Sequence, residues 1–189
     1  MDTSLMNYEV PKFTEFPSIA RLSREITISE KIDGTNAQVH ITEDNQIYFG
    51  SRTRWITPED DNYGFARWGN ENKEELLRLG VGTHFGEWWG SGIQRKYNIK
   101  EKRFSLFNTS RWGDDSTRPA CCHVVPVLYT GMFDTNIVDA TLNNLVMFGS
   151  VASPEFMNPE GIVIWHEKAR VLFKKTTGDD GHKSIKVKV

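Results

Sequence analysis

Cysteine is almost missing from this 189-residue chain: there are two, Cys121 and Cys122, and they are adjacent. Adjacent cysteines rarely close an unstrained disulfide, and no second pair exists to build a zinc site. A disulfide framework and a cysteine-held metal centre are therefore excluded, and nothing calls for an oxidising compartment. Long apolar runs are lacking too. No stretch approaches the roughly 20 residues that span a membrane, and the opening MDTSLMNYEVPKF has neither the basic start nor the apolar run of a signal peptide. Charge of one sign is also absent. Lys and Arg number 23 against 25 Asp and Glu, a formal net charge of -2, which argues against indiscriminate coating of nucleic acid but leaves room for a local basic groove. His84, His123 and His166 lack metal-ligand spacing and read as satisfied or surface histidines. Repeats, low-complexity tracts and linkers are absent. What remains is one cytosolic domain, with 11 Phe, 6 Trp and 5 Tyr to fill a core.

The order of elements predicts an α+β domain built on antiparallel sheet. Segments 25–31 (EITISEK), 36–42 (NAQVHIT) and 46–50 (QIYFG) read as strands, with tight turns at Asp33-Gly34 and at Glu43-Asp44-Asn45. Residues 59–70 read as a surface loop, and 71–79 as a helix stopped by Gly80. Strands are expected at 83–89, 104–108 and 121–129, and a second helix from an Asp134 cap through Leu145. A hairpin of 161–166 and 169–175, turning at Glu167-Lys168, follows. The tail 182–189 alternates Lys with aliphatics and reads as an edge strand blunted by charge.

Chemistry concentrates in Glu30-Lys31-Ile32-Asp33-Gly34-Thr35-Asn36. A lysine at a strand end, before an Asp-Gly turn, projects into a cleft, and once neutral it is a nucleophile. Arg52, where the third strand runs out, offers a fork for phosphate or hydroxyl groups, with Arg54 in reserve on the same strand face. Glu87 sits in the aromatic, glycine-rich strand THFGEWWG, where a carboxylate needs a cationic or hydroxylic partner. Phe104 and Phe107 fall on opposite faces of their strand, so at most one meets a ligand and the other is core. Glu160 supplies a hard carboxylate before a strong strand. Lys174 and Lys175 are adjacent and point to opposite faces, so only one of them reaches a given site. Trp55, Trp68, Arg67, Arg95 and Trp112 are either core or contacts for an extended polyanion.

The lysine segment resembles motif I, K-x-D-G, of the covalent nucleotidyltransferases, the superfamily of ATP-dependent ligases and mRNA capping enzymes. Five more segments resemble its motifs in order. Ser51-Arg52 is similar to motif Ia, His84-Phe85-Gly86-Glu87 to motif III, and Phe104-Ser105-Leu106-Phe107 to motif IIIa. Glu160-Gly161-Ile162-Val163 is similar to motif IV and Leu172-Phe173-Lys174-Lys175 to motif V. The run Gly90-Ser91-Gly92-Ile93-Gln94 looks like the extension after motif III in many RNA ligases.

The resemblance implies an ATP-grasp-like core of antiparallel sheets flanked by short helices, spanning 1–189 as one adenylation domain. Only 14 residues follow Lys175, so no C-terminal oligonucleotide-binding domain is expected, which favours a minimal, phage-like RNA ligase. It implies that Lys31 attacks ATP and carries AMP, that Mg²⁺ or Mn²⁺ rests on Glu160, and that Lys174 and Lys175 act at the phosphate. Lys174 is favoured because it fits the shorter form of motif V in phage-like relatives. Glu30, Ile32, Asp33, Gly34, Asn36, Arg52, Glu87, Phe107 and Lys174 would hold the nucleotide. The implied partner is RNA with 5′-phosphate and 3′-hydroxyl ends rather than DNA, in a bacterial or phage-infected cytosol. Adenylyl transfer to another acceptor, or RNA binding without turnover, are the alternatives.

Overall fold

Apolar alternation in the first strand decides the architecture. In β1 (Glu25–Lys31), Ile26 and Ile28 are fully buried while Thr27 and Ser29 face the other way, and each such isoleucine stabilises the fold by about 1.5–3 kcal/mol. The computed structural model describes residues 10–178. The elements that follow are β2 (Thr35–Ile41), β3 (Ile47–Gly50), β4 (Trp55–Ile56), α1 (Phe65–Glu71), α2 (Lys73–Leu77), β5 (Gly82–Gly90) and β6 (Lys102–Leu106). Then come α3 (Thr109–Trp112), β7 (Cys122–Val124), β8 (Val127–Met132), α4 (Thr135–Phe148), β9 (Gly161–His166) and β10 (Val171–Thr176). The chain is α+β, with strand orders β10-β9-β1-β8 and β4-β3-β2-β5-β6-β7; among the described strands every pairing but β6 with β7 is antiparallel.

Each sheet has one helix-covered face. Val138, Leu142 and Leu145, one stripe of α4, pack on Ile26, Ile28, Ile162 and Ile164. The six-stranded sheet buries Ala37, Val39 and Ile41 against Phe65, Ala66 and Leu76. A third cluster, Ile32, Trp89, Tyr97, Val125 and Phe156, joins the two halves near the end of β1. The remaining faces look at each other across a cavity.

Several expectations need correction. The loop expected at 59–70 holds all but the last residue of α1, because Phe65, Ala66 and Gly69 form a buried stripe. Gly69 lies so close to Phe49 that a Cβ there would meet the ring at 2.2 Å. The helix expected at 71–79 is interrupted at Asn72 and ends at Leu77, before Gly80. The strand expected at 121–129 is two strands in two sheets, split at Pro126, which has no N–H for a ladder. Arg52 and Arg54 lie not on a strand face but in the bend between β3 and β4. The Asp134 cap holds, its carboxylate accepting from Asn136 N at 2.7 Å, and α4 runs on to Phe148. The last hairpin turns over four residues, 167–170, with Arg170 at φ 55°. The tail 182–189 lies outside the described residues.

Candidate active site

Strand alternation puts Thr27, Ser29 and Lys31 on the face opposite Ile26, Ile28 and Glu30. That face forms one wall of a cavity of about 660 Å³, joined by Val163, Trp165 and Leu172. Asn36, Thr83, Phe85, Glu87 and Phe107 line the opposite wall. The volume suits a drug-sized or nucleotide-sized ligand.

Lys31 is the last residue of β1 and pairs with Gly161 on β9. This register brings Lys31 Nζ to 2.6 Å from Oε1 of Glu160, the residue before β9. Glu160 Oε2 is buried and has no hydrogen-bond partner among the described residues. A buried carboxylate oxygen without a donor is costly, and a hard, unshared oxygen is what Mg²⁺ or Mn²⁺ takes. The residues therefore fit a divalent ion held by one protein carboxylate. No group of three or more His, Cys, Asp or Glu is poised for a metal among the described residues, so phosphate and water would complete the shell.

Glu87 has the cationic neighbour that its strand required. Its Oε1 accepts from Gly34 N at 3.0 Å and its Oε2 from Asn36 Nδ2 at 3.1 Å. Burial pushes its carboxyl up to about 7, and the charge of Glu160 adds to that, while the Lys31 ammonium, the Gly34 N–H and Asn36 pull it back. Gly34 must be glycine, because a Cβ there would lie 2.4 Å from Trp88 O and 2.7 Å from Trp89 Cβ.

Phe107 is 43% exposed and lines the cavity, whereas Phe104 is fully buried beneath Phe65 and Trp68. The β9–β10 register sets the lysines apart. Lys174 lies opposite Val163 and shares the cavity face, while Lys175 lies opposite Ile162, on the α4 face, and its ammonium bonds Asp139 of α4. The placement of Lys175 at the phosphate is thus corrected. Glu30 borders the cavity, but its carboxylate is committed elsewhere, accepting from Ser150 Oγ at 2.5 Å and from the Val151 and Ala152 N–H groups at 2.8 Å. Its main-chain N–H is also engaged, donating to Pro126 O at 2.9 Å. Ile32 also borders the cavity, with its side chain in the core cluster. Asp33 does not line it; its carboxylate accepts from Arg95 Nε at 2.9 Å, and its N–H donates to the Tyr97 hydroxyl at 2.8 Å. Arg52 is exposed at the end of β3. It follows the last paired residue of β3, Gly50, in the bend before β4 and is not among the residues that line the cavity.

Further residues contribute to the site. Phe85, Thr27, Ser29 and Trp165 line the cavity, and simple alternation from Glu87, Lys31 and Val163 would have found them. Arg95 also bonds Asn158 O and Oδ1 and Pro159 O, so it ties the Asp33 turn to the segment bearing Glu160. No local pattern marks that role. Trp68 and Trp112 belong to the core, the Arg67 guanidinium donates to Pro58 O, and Trp55 is 55% exposed.

A model of the RNA ligase family matches residues 24–188. Among solved structures, a mutant Naegleria gruberi RNA ligase with AMP and Mn aligns with TM-score 0.63 at 18% identity, covering 82% of this chain and 50% of that one. A mutant with ATP and Mn gives 0.62 at 19% identity, with the same 82% and 50% coverage. A mutant without ligand gives 0.59 at 19%, again covering 82% and 50%. The chain thus spans about half the length of these relatives, and at this identity the likeness speaks for the fold. No curated protein matches the chain.

Proposed function

The chain belongs to the RNA ligase family, and from that premise we propose that it is an ATP-dependent RNA ligase, one adenylation domain acting through a lysyl-AMP intermediate. The observation that carries this reading is Lys31 at the cavity wall, 2.6 Å from a carboxylate whose second oxygen has no partner among the described residues. An ammonium must shed a proton before its nitrogen can attack, and Glu160 Oε1 is the acceptor in contact with it. Lys31 Nζ attacks the α-phosphorus of ATP, a P–N bond forms, and pyrophosphate leaves. AMP then passes to the 5′-phosphate of an RNA end, and a 3′-hydroxyl displaces it to leave a phosphodiester.

The surrounding residues have assignable parts. Phe107 offers a face to the adenine ring, and stacking of this kind contributes about 1–3 kcal/mol. Glu87 and Asn36 face the ribose hydroxyls. Lys174 and Arg52 bring positive charge to the phosphates from the two sheets. A divalent ion on Glu160 Oε2 would supply charge neutralisation for the leaving pyrophosphate. The related Naegleria gruberi structures with ATP and Mn and with AMP and Mn support ATP and a divalent ion as the cofactors here. Among the described residues no helix is long and apolar enough to cross a membrane.

Labelled ATP tests the proposal directly. With Mg²⁺ or Mn²⁺ the wild-type protein should gain one AMP on Lys31 through an acid-labile bond, and pass it to 5′-phosphorylated RNA in preference to DNA. Lys31→Arg should stay folded and take up no label, since guanidinium does not deprotonate in proteins. AMP found on another lysine, or a labelled Lys31→Arg, would overturn the assignment.

A further inference from the structure

We propose that the open face of the six-stranded sheet beside the cavity, carrying His40, Tyr48 and Trp55, is a platform on which unpaired RNA bases stack. The proposal rests on the ligase reading of the cavity and extends it to the class of strand that the protein grips.

Register places the three rings on the cavity side. Phe85 and Glu87 line the cavity and lie opposite Gln38 and Asn36; His40 follows on that same face of β2, opposite Thr83 on one side and Tyr48 on the other. Trp55 of β4 lies opposite Gly50 and shares the face as well. From Phe107 and Phe85 a band of aromatic surface therefore runs outward across β5, β2, β3 and β4. The reverse face of the same strands is core, holding Val39, Ile41, Phe49 and Ile56.

A sheet face turned to water ordinarily carries polar side chains. Here Tyr48 is 49% exposed, Trp55 55% and Phe85 57%. The rings of His40, Tyr48 and Trp55 touch with centroids 6.0–6.5 Å apart and planes tilted by 46–55°. None is stacked flat on another, and Tyr48 and Trp55 are left exposed to solvent. Thr83 Oγ1, 2.8 Å from His40 Nδ1, steadies the imidazole.

The chemistry interleaved with these rings favours nucleotides over a protein surface. Exposed Arg52, in the bend between β3 and β4 that leads to Trp55, is free of ion pairs among the described residues and offers its fork to a phosphate. Gln38 and Thr83 add hydrogen-bonding groups between the rings. Continuity with the Lys31 cavity leads a strand laid here towards the nucleotide. Exposed aromatic faces suit bases splayed out of a single strand, whereas paired bases keep their faces in the stack.

Fluorescence anisotropy with a short labelled oligouridylate lacking a 5′-phosphate, and with an RNA duplex of equal length, decides the matter. Tyr48→Ala and Trp55→Ala should each weaken single-strand binding by roughly tenfold and leave duplex binding within about twofold, while Trp55→Phe keeps most of the affinity. Both positions are half exposed, and an unchanged unfolding midpoint certifies the fold of each variant. Single-strand affinity unmoved by both alanines, an equal loss on duplex, or a change of oligomeric state in its place would overturn the platform. AMP uptake by the wild-type protein is scored separately. Its absence would sink the ligase reading, while loss of stacking would show only in the RNA titrations.

Discussion

Glu87 places a carboxylate inside a strand of aromatic and glycine residues, where an unsatisfied charge would be severe. Two N–H donors and the nearby Lys31 ammonium keep it there, yet burial still raises its carboxyl from 4.5 to about 7. A folded value above the unfolded one means that the folded state holds its proton more tightly. Stability from this group is then full below about 4.5 and lost as pH rises through about 7. For the metal-free protein, unfolding free energy should fall across that window by roughly 3 kcal/mol at most. Glu87→Gln should remove much of the slope, leaving the smaller part that Glu30, also raised by burial, contributes with the same sign. Denaturant titrations at both ends of the window check this; an unaltered slope in Glu87→Gln would show that Glu87 is not the group responsible. That Lys31 and Glu87 turn to the cavity side of their strands was legible in the sequence, because a charged residue at a strand position has only two faces to choose between. The unshared oxygen of Glu160 was not, since it depends on what every neighbouring atom does.

At the scale of elements, β10 shows how a strand sorts adjacent residues. Lys174 and Lys175 differ by one position, and the pleat sends one towards the cavity and the other towards Asp139 on α4. Lys174→Ala should slow AMP uptake by about tenfold or more, as loss of a charge aimed at a phosphate does. Lys175→Ala should leave uptake near that of the wild type and cost less than about 1 kcal/mol of stability, the usual worth of a solvent-exposed pair. Rates of label incorporation distinguish the two, and equal effects would mean that the pleat does not separate their roles. The strands themselves were readable because their burial alternates. What escaped reading was α1, whose buried stripe is short and glycine-bearing, and the division of 121–129, where one proline passes the chain from one sheet to the other.

Across the whole molecule, Arg95 links the two halves of the site. It lies in the connection 91–101, where Gln94, Lys96, Tyr97 and Asn98 all adopt positive φ, a conformation costing about 1–2 kcal/mol per L-residue. Burial of Tyr97 against Trp89 and Phe156 and the Arg95 bonds to Asp33, Asn158 and Pro159 offset that strain. Arg95→Ala should lower the unfolding midpoint by several degrees and slow AMP uptake, since Lys31 and Glu160 stand on the two segments that Arg95 joins. Arg95→Lys should recover little, because an ammonium cannot reproduce the fork. Full activity in Arg95→Ala, measured by label uptake, would remove it from the positioning of the site. The sequence by itself determined most of the strands, the Asp134 cap and the strand face that Lys31 and Glu87 take, because alternation, turn chemistry and side-chain type act over a few neighbouring residues. Only the tertiary structure decided that Asp33 belongs to Arg95, that Glu30 holds Ser150, Val151 and Ala152, and that an open aromatic band adjoins the cavity. The first two depend on contacts across 62 and 120 or more positions of chain, and such distances are closed by tertiary packing rather than by any local pattern.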